Sequence, residues 1–378
     1  MSEVYIISAV RTPIGVGKIQ GALSPLSPVD LAAMVLQEAV GRAGVDPAWV
    51  EDVVWGCVTP LGDQGANLAR LAVLKAGFPV KVPAVTLNRM CGSGQQAVHF
   101  AAQAILSGDM DLVLAGGTEM MSHQPLGADY PSQWPENMPY QLVHQGVSAE
   151  MMAEKWSLER EALDDFAYQS HLHAMQAIQA GHFDSQILPV LRPDGRLVTT
   201  DEGVRIPPDR DKMRSLKPVF KPDGVVTAGN ASQISDGSAA LLLASPKAVG
   251  RHNLLPRARL AARCVVGSDP VLMLDGPIPA TRQVLERAGI SLDEIDVIEI
   301  NEAFASVVLA WAKELGLKDL SKVNPNGGAI ALGHPLGATG AVLMTKLLHQ
   351  LERTNGRYGL QTMCIGHGMA TATLIECL

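Results

Sequence analysis

Arg42-Ala-Gly-Val-Asp-Pro-Ala-Trp-Val-Glu-Asp-Val-Val54 is matched, 245 residues later, by Arg287-Ala-Gly-Ile-Ser-Leu-Asp-Glu-Ile-Asp-Val-Ile-Glu299. Each copy reads as a helix end stopped at a glycine (Gly44, Gly289), a short acidic segment, and a β-branched strand. Further on, the glycine-rich turn and helix over Cys91–Ser107 correspond to His334–Leu348, and the strand Asp111–Gly117 corresponds to Gly359–Gly366. An offset of 243–245 residues in separate matches predicts a duplicated unit.

Working outward, Val4–Val10 reads as a strand, Pro28–Ala43 as a helix, Val50–Val58 as a strand, Gly94–Ser107 as a helix and Asp111–Ala115 as a strand. This alternation predicts an α/β fold with a mostly parallel sheet covered on both faces. The texture changes between the copies. Ser122–Tyr140 is rich in Pro, Gly, Gln and Asn and reads as an irregular loop, Ala149–Ala180 as helical segments, and Ser238–Ala244 as a buried strand. The expected organisation is a first half over 1–117, an inserted covering segment over 118–246 whose last part returns to that half, and a second half over 247–378. Such an insertion can cover a site at the carboxyl ends of the strands.

The 378 residues suffice for two or three cores, and 47% hydrophobic with 18% charged residues fits a compact enzyme. With 4% aromatic residues the cores must be aliphatic. A net charge of −8 argues against a nucleic-acid partner, which needs a basic face. The start lacks a basic n-region and a long apolar run, and no apolar run nears the ~20 residues that span a bilayer. A cytoplasmic location and no membrane partner are expected. Five cysteines (Cys57, Cys91, Cys264, Cys364, Cys377) without a CxxC pair read as free thiols in a reducing compartment. No His/Cys/Asp/Glu set has metal-site spacing, so no metal is expected, and Gly15-Val-Gly-Lys lacks the remaining residues of a phosphate-binding loop.

The candidate chemistry gathers on the repeated turns. Cys91 lies in Asn88-Arg-Met-Cys-Gly-Ser-Gly, where a helix start favours a thiolate; the alternative is a small core side chain. His334, in Gly327-Gly-Ala-Ile-Ala-Leu-Gly-His-Pro-Leu-Gly, holds the equivalent place in the second copy, so a pseudo-twofold axis would bring the two together as nucleophile and base. As a lone residue it would simply cap a helix start. Cys364, in Thr362-Met-Cys-Ile-Gly-His-Gly, is a candidate proton carrier or a structural cysteine, and Gly366 a backbone donor to an oxyanion. Asn301 follows the strand Asp296–Ile300 and is either a turn residue or a holder of water or oxyanion. Arg205, Arg210, Lys212, Arg214, Lys217 and Lys221 form a solvated face or a seat for nucleotide phosphates.

Taken together, Asn88–Ala97, Asn301–Ala305, Gly327–Gly340 and Cys364-Ile-Gly-His-Gly resemble, in that order, the motif blocks of the thiolase family, and the likeness runs from Arg11-Thr-Pro-Ile-Gly to the C-terminus. The resemblance implies a duplicated α/β/α core and an acyl-CoA C-acyltransferase: ping-pong Claisen condensation of acetyl-CoA, or thiolytic cleavage of a 3-ketoacyl-CoA. It implies Cys91 as the acylated nucleophile, His334 as its base and Cys364 as the shuttle for the α-proton. Asn301 would act through a water that forms one oxyanion hole with His334, while the N–H groups of Cys91 and Gly366 form the other. Ser232 would touch the pantetheine arm, Met273 and Phe304 would line the acyl pocket, and His144 would lie beside the substrate. Coenzyme A is then a substrate and no cofactor is required; a homodimer or homotetramer is implied. His367 stands where many relatives carry glycine, and Gln145 where many carry methionine. The related alternatives are a ketosynthase or hydroxymethylglutaryl-CoA synthase-like enzyme, against which Cys364 together with Asn301-Glu-Ala-Phe argues, and a silent thiolase-like scaffold, against which the presence of Cys91, Asn301, His334 and Cys364 argues.

Overall fold

The computed structural model describes residues 3–378. Nine strands follow one path through its ten-stranded main sheet: β1 (Tyr5–Arg11), β2 (Asp52–Gly56), β3 (Ala84–Leu87), β4 (Leu112–Met120), β5 (Ser235–Ala244), β6 (Ala258–Gly267), β7 (Val297–Ile300), β8 (Tyr358–Ile365) and β9 (Met369–Cys377). Their spatial order is β7-β8-β9-β6-β1-β5-β4-β2-β3, and a two-residue ribbon, Gly15–Val16, adds to β5.

The expected mostly parallel sheet is corrected here. Only β2–β3, β2–β4 and β7–β8 run parallel; β1–β5, β4–β5, β1–β6, β6–β9 and β8–β9 are antiparallel. The reason is connection type. Parallel neighbours need a crossover, whereas β9 follows β8 directly through the three-residue turn Gly366-His367-Gly368, and β5 returns from the covering segment against the direction of β1 and β4. The duplication is nonetheless visible in the pairings. β1-β5-β4-β2 and β6-β9-β8-β7 repeat the series antiparallel, antiparallel, parallel, and the halves meet through Tyr5↔Arg259 and Ile6↔Ala258.

Two helices that open at the candidate turns, Ser93–Ser107 and Leu336–Thr354, pack on each other inside the molecule. The second is buried without interruption from Leu336 to Leu351, as a helix enclosed by other layers must be. Close approach depends on glycine: a Cβ on Gly94 would stand 2.8 Å from Gly337 O, and one on Gly340 would collide with the Gln95 backbone. The one lysine on this helix is neutralised internally, Lys346 Nζ lying 2.8 Å from Glu299 and 2.7 Å from Gly327 O.

The covering segment carries the helices Gln145–Lys155 and Arg160–Gln179 and, between Met120 and Gln145, a stretch without helix or strand. It is tied down by Asp201, which takes a bidentate bond from buried Arg11 (2.7 and 2.9 Å) and the N–H of Ile14. Among the described residues no helix is long and apolar enough to cross a membrane, and no three His, Cys, Asp or Glu side chains are grouped to hold a metal ion.

Candidate active site

The turn that presents Cys91 is built by its polar neighbours. Met90 sits at φ +48°, a conformation that costs a non-glycine residue on the order of 1–3 kcal/mol. Asn88 Oδ1 accepts its N–H at 2.7 Å, and Ser93 Oγ donates to Met90 O at 2.6 Å while accepting from Arg89 N–H at 2.8 Å. A side chain on Gly92 would strike Ile365, so the turn is pressed against the end of β8, where Cys364 lies.

Cys91 is 4% exposed and packs with Val58, Met121, Leu336 and Met363. Burial pushes its thiol up to about 11, against the backbone N–H groups of Gly366 and Cys91, which favour the thiolate. Desolvation outweighs the helix start, so the thiol needs a base, the part that the sequence reading gave to His334. Cys364 is also buried, and burial followed by the proximity of Cys91 raises its thiol strongly.

His334 follows Gly333, whose φ of +111° and collision course with Ser235 Oγ admit no side chain. Its Nδ1 lies 2.6 Å from Thr339 Oγ1, and that hydroxyl donates to Pro335 O at 2.9 Å. The threonine proton is thus committed elsewhere, so Nδ1–H donates and Nε2 keeps its lone pair. Asn301 Nδ2 donates to Nε2 from 3.3 Å. Burial holds the imidazole down at about 4, so it is neutral at physiological pH. Asn301 is fully buried, bonded through its N–H to Thr362 O at 3.1 Å, and its Oδ1 has no protein partner.

Two carboxylates brace this arrangement, and neither role was read from the sequence. Glu119, at the end of β4, accepts from the N–H groups of Val58 (2.8 Å), Thr59 (3.1 Å) and Gly337 (2.9 Å) and from Gln64 Nε2 (3.1 Å). It fastens the first half to the helix start that carries His334. Glu302 accepts from Ser170 Oγ (2.6 Å), Asn324 Nδ2 (2.8 Å) and Ile330 N–H (3.2 Å), joining the covering segment to the histidine block. The available signal was a lone acid closing an otherwise apolar strand, Leu112-Val-Leu-Ala-Gly-Gly-Thr-Glu.

A cavity of about 560 Å³ opens beside these groups. Ser232, Met273, Phe304 and His144 all line it, as do His334 and Gly366; Cys91, Cys364 and Asn301 lie buried outside its lining. A second cavity of about 510 Å³ shares Gln233 with the first and is lined by Arg205, Lys212, Ala228 and Gly229. The basic cluster divides accordingly. Arg210 pairs with Asp165 (3.0 Å), Arg214 with Glu161 (2.8 Å) and Lys221 with Glu154, which leaves Arg205 and Lys212 as the cations facing that cavity.

Residues 4–247 match the family model described as the thiolase N-terminal domain, and residues 254–377 the thiolase C-terminal domain. The chain is 49% identical to the steroid 3-ketoacyl-CoA thiolase FadA6 of Mycobacterium tuberculosis over all of this chain and 94% of that protein. It is 43% identical to the β-ketothiolase BktB of Cupriavidus necator, over 99% of each chain. The crystal structure of the Bacillus anthracis acetyl-CoA acetyltransferase superposes with a TM-score of 0.93 at 41% identity, covering all of this chain and 99% of that one.

Proposed function

The chain belongs to the thiolase family and is an acyltransferase, and from that premise we propose that it cleaves or forms 3-ketoacyl-CoA through an acyl-Cys91 intermediate. The observation that carries the mechanism is the neutral His334 with its Nδ1 proton fixed by Thr339, which leaves the Nε2 lone pair, contacted by Asn301 Nδ2 at 3.3 Å, as the proton acceptor.

In the cleavage direction the Cys91 proton passes to His334 Nε2 as Sγ attacks the 3-keto carbon. The alkoxide on C3 is met by the N–H groups of Cys91 and Gly366, and the enolate oxygen of the departing acetyl-CoA by protonated His334 with a water held at the unpartnered Oδ1 of Asn301. Collapse breaks the C2–C3 bond and leaves the acyl group on sulfur. The electron pair goes to the enolate of acetyl-CoA, whose α-carbon takes the Cys364 proton. The Cys364 thiolate then takes the proton of incoming CoA, and the CoA sulfur attacks the acyl thioester. Cys91 leaves as thiolate and recovers its proton from His334. Two neutral thiols at the start and end of the cycle accord with the raised Cys91 and Cys364. Condensation is the same sequence reversed.

The pantetheine arm is assigned to the first cavity beside Ser232, and the nucleotide phosphates to the second, beside Arg205 and Lys212; the shared Gln233 supports one continuous path. CoA is then a substrate, and the reaction needs no resident cofactor. Five unpaired cysteines support a cytoplasmic setting, and Val85 on the edge strand β3, 47% exposed, supports a homo-oligomer.

The test is thiolysis of 3-ketoacyl-CoAs of rising chain length, beside Cys91→Ser. Turnover by the native enzyme and its loss in the variant are expected; equal inactivity of both on every substrate would refute the reading.

A further inference from the structure

The acyl cavity is unusually aromatic for this chain. Four of its sixteen Phe, Trp and Tyr residues (Tyr130, Trp134, Phe220, Phe304) fall among the twenty-one residues lining this one cavity. They form two ring clusters with histidines. His144 stacks on Phe220 (5.1 Å between centroids), which meets Phe304 edge-on at 6.1 Å. His367 meets Trp134 edge-on at 5.5 Å and Tyr130 at 6.3 Å, and those two rings lie 5.7 Å apart. Rings have few torsions and do not collapse onto a thin chain, so such walls define a wide slot that suits a broad, rigid acyl body.

His367 is the polar member. It sits at φ +64° in the turn between β8 and β9, next to Gly366, and lines the cavity. Its Nδ1 is buried without a partner, whereas Nε2 is not shut off in that way. An orphaned N–H in the interior is rarer than an orphaned acceptor, so the proton belongs on Nε2, which becomes a donor on the accessible side of the ring. Among the described residues no Lys, Arg, Asp or Glu lines this cavity, so none of them compensates a charged substituent. Tyr130, from the covering segment, lines the cavity with Gln145 and His367, and burial, then Cys91, raises its phenol. Thus Gln145 and His367, the two departures noted in the sequence, meet around one ring.

We infer that the acyl site takes a ring-bearing 3-ketoacyl-CoA carrying an uncharged oxygen, hydroxyl or ketone, and that His367 is the specificity-determining residue that hydrogen-bonds it. This deepens the thiolase reading and rests on it.

The test uses the full-length enzyme and CoA with 3-cyclohexyl-3-oxopropanoyl-CoA, its 4-hydroxycyclohexyl and 4-oxocyclohexyl counterparts, the linear nine-carbon 3-oxononanoyl-CoA, and acetoacetyl-CoA. The ring substrate is expected to exceed its linear nine-carbon counterpart in kcat/KM. An added ring oxygen should raise kcat/KM by about tenfold, the size expected of a hydrogen bond to an otherwise unpaired polar group. The hydroxyl and ketone arms tell which oxygen is read. His367→Gly, which suits the left-handed backbone, should bring the oxygen preference near one, and His367→Asn, which keeps a donor, should restore part of it. Trp134→Ala should reduce the preference for ring over linear chain. A native preference for the linear substrate, or an oxygen preference that survives His367→Gly, would overturn the inference and leave the thiolase reading standing. Failure on every substrate, acetoacetyl-CoA included, would remove both.

Discussion

His334 Nδ1 and Thr339 Oγ1 stand 2.6 Å apart, and the threonine proton is already given to Pro335 O. One hydroxyl five residues along the chain therefore decides which face of the imidazole is basic. Thr339→Val keeps the shape and removes the acceptor. The expected result is a fall in kcat on the order of 10–100-fold with KM little changed, largely reversed in Thr339→Ser. Steady-state thiolysis kinetics check this; an unaltered kcat in Thr339→Val would contradict it.

The titration of the pair gives a second expectation. Burial lowers His334 to about 4, so its neutral, proton-accepting form persists as the pH falls past the 6.5 of an ordinary histidine and is lost only as pH drops through about 4. Burial raises Cys91 to about 11, so its thiolate accumulates only in strong alkali. In free enzyme, alkylation of Cys91 by iodoacetamide should go on rising well above pH 8, while kcat/KM for thiolysis holds down to about pH 5. An alkylation rate already level at pH 7 would mean a resting thiolate.

Glu119 ties three backbone N–H groups and Gln64 to the helix start that carries His334. In Glu119→Gln an amide NH2 replaces one of the accepting oxygens and faces a donor. A loss of roughly 1–3 kcal/mol is expected from urea unfolding, together with lower kcat. An unchanged unfolding midpoint would show that the carboxylate is not the fastening it is taken to be.

The phosphate assignment separates residues that look alike in sequence. Arg205→Ala and Lys212→Ala should each raise KM for CoA, by about tenfold for a charge-assisted contact, whereas Arg214→Ala, already paired with Glu161, should change it less than about twofold. Equal effects of all three would return the cluster to a diffuse positive face.

Much of this was legible before the structure. The repeat around Gly44 and Gly289 announced the duplication, and the equivalence of Cys91 with His334 anticipated that their helices pack together, as Gly94 and Gly337 now do. Strand direction was not legible, because alternation of strand and helix does not record the hairpin at Gly366–Gly368 or the return of β5 through the covering segment. The depth at which Cys91 is buried was not legible for a related reason. A helix start is visible in sequence, but the burial that overrides it comes from Val58, Met121 and Met363, which only folding assembles. Thr339 and Glu119 are ordinary residue types whose importance lies in what they touch.

The acyl group on Cys91 is the central claim, and peptide mass spectrometry of enzyme quenched during reaction with acetyl-CoA or acetoacetyl-CoA tests it most directly. The expected result is one acetyl group on the peptide containing Cys91, removed on adding CoA and absent in Cys91→Ser. Full turnover with no acyl adduct on Cys91, or an adduct that appears on Cys364 instead, would contradict it.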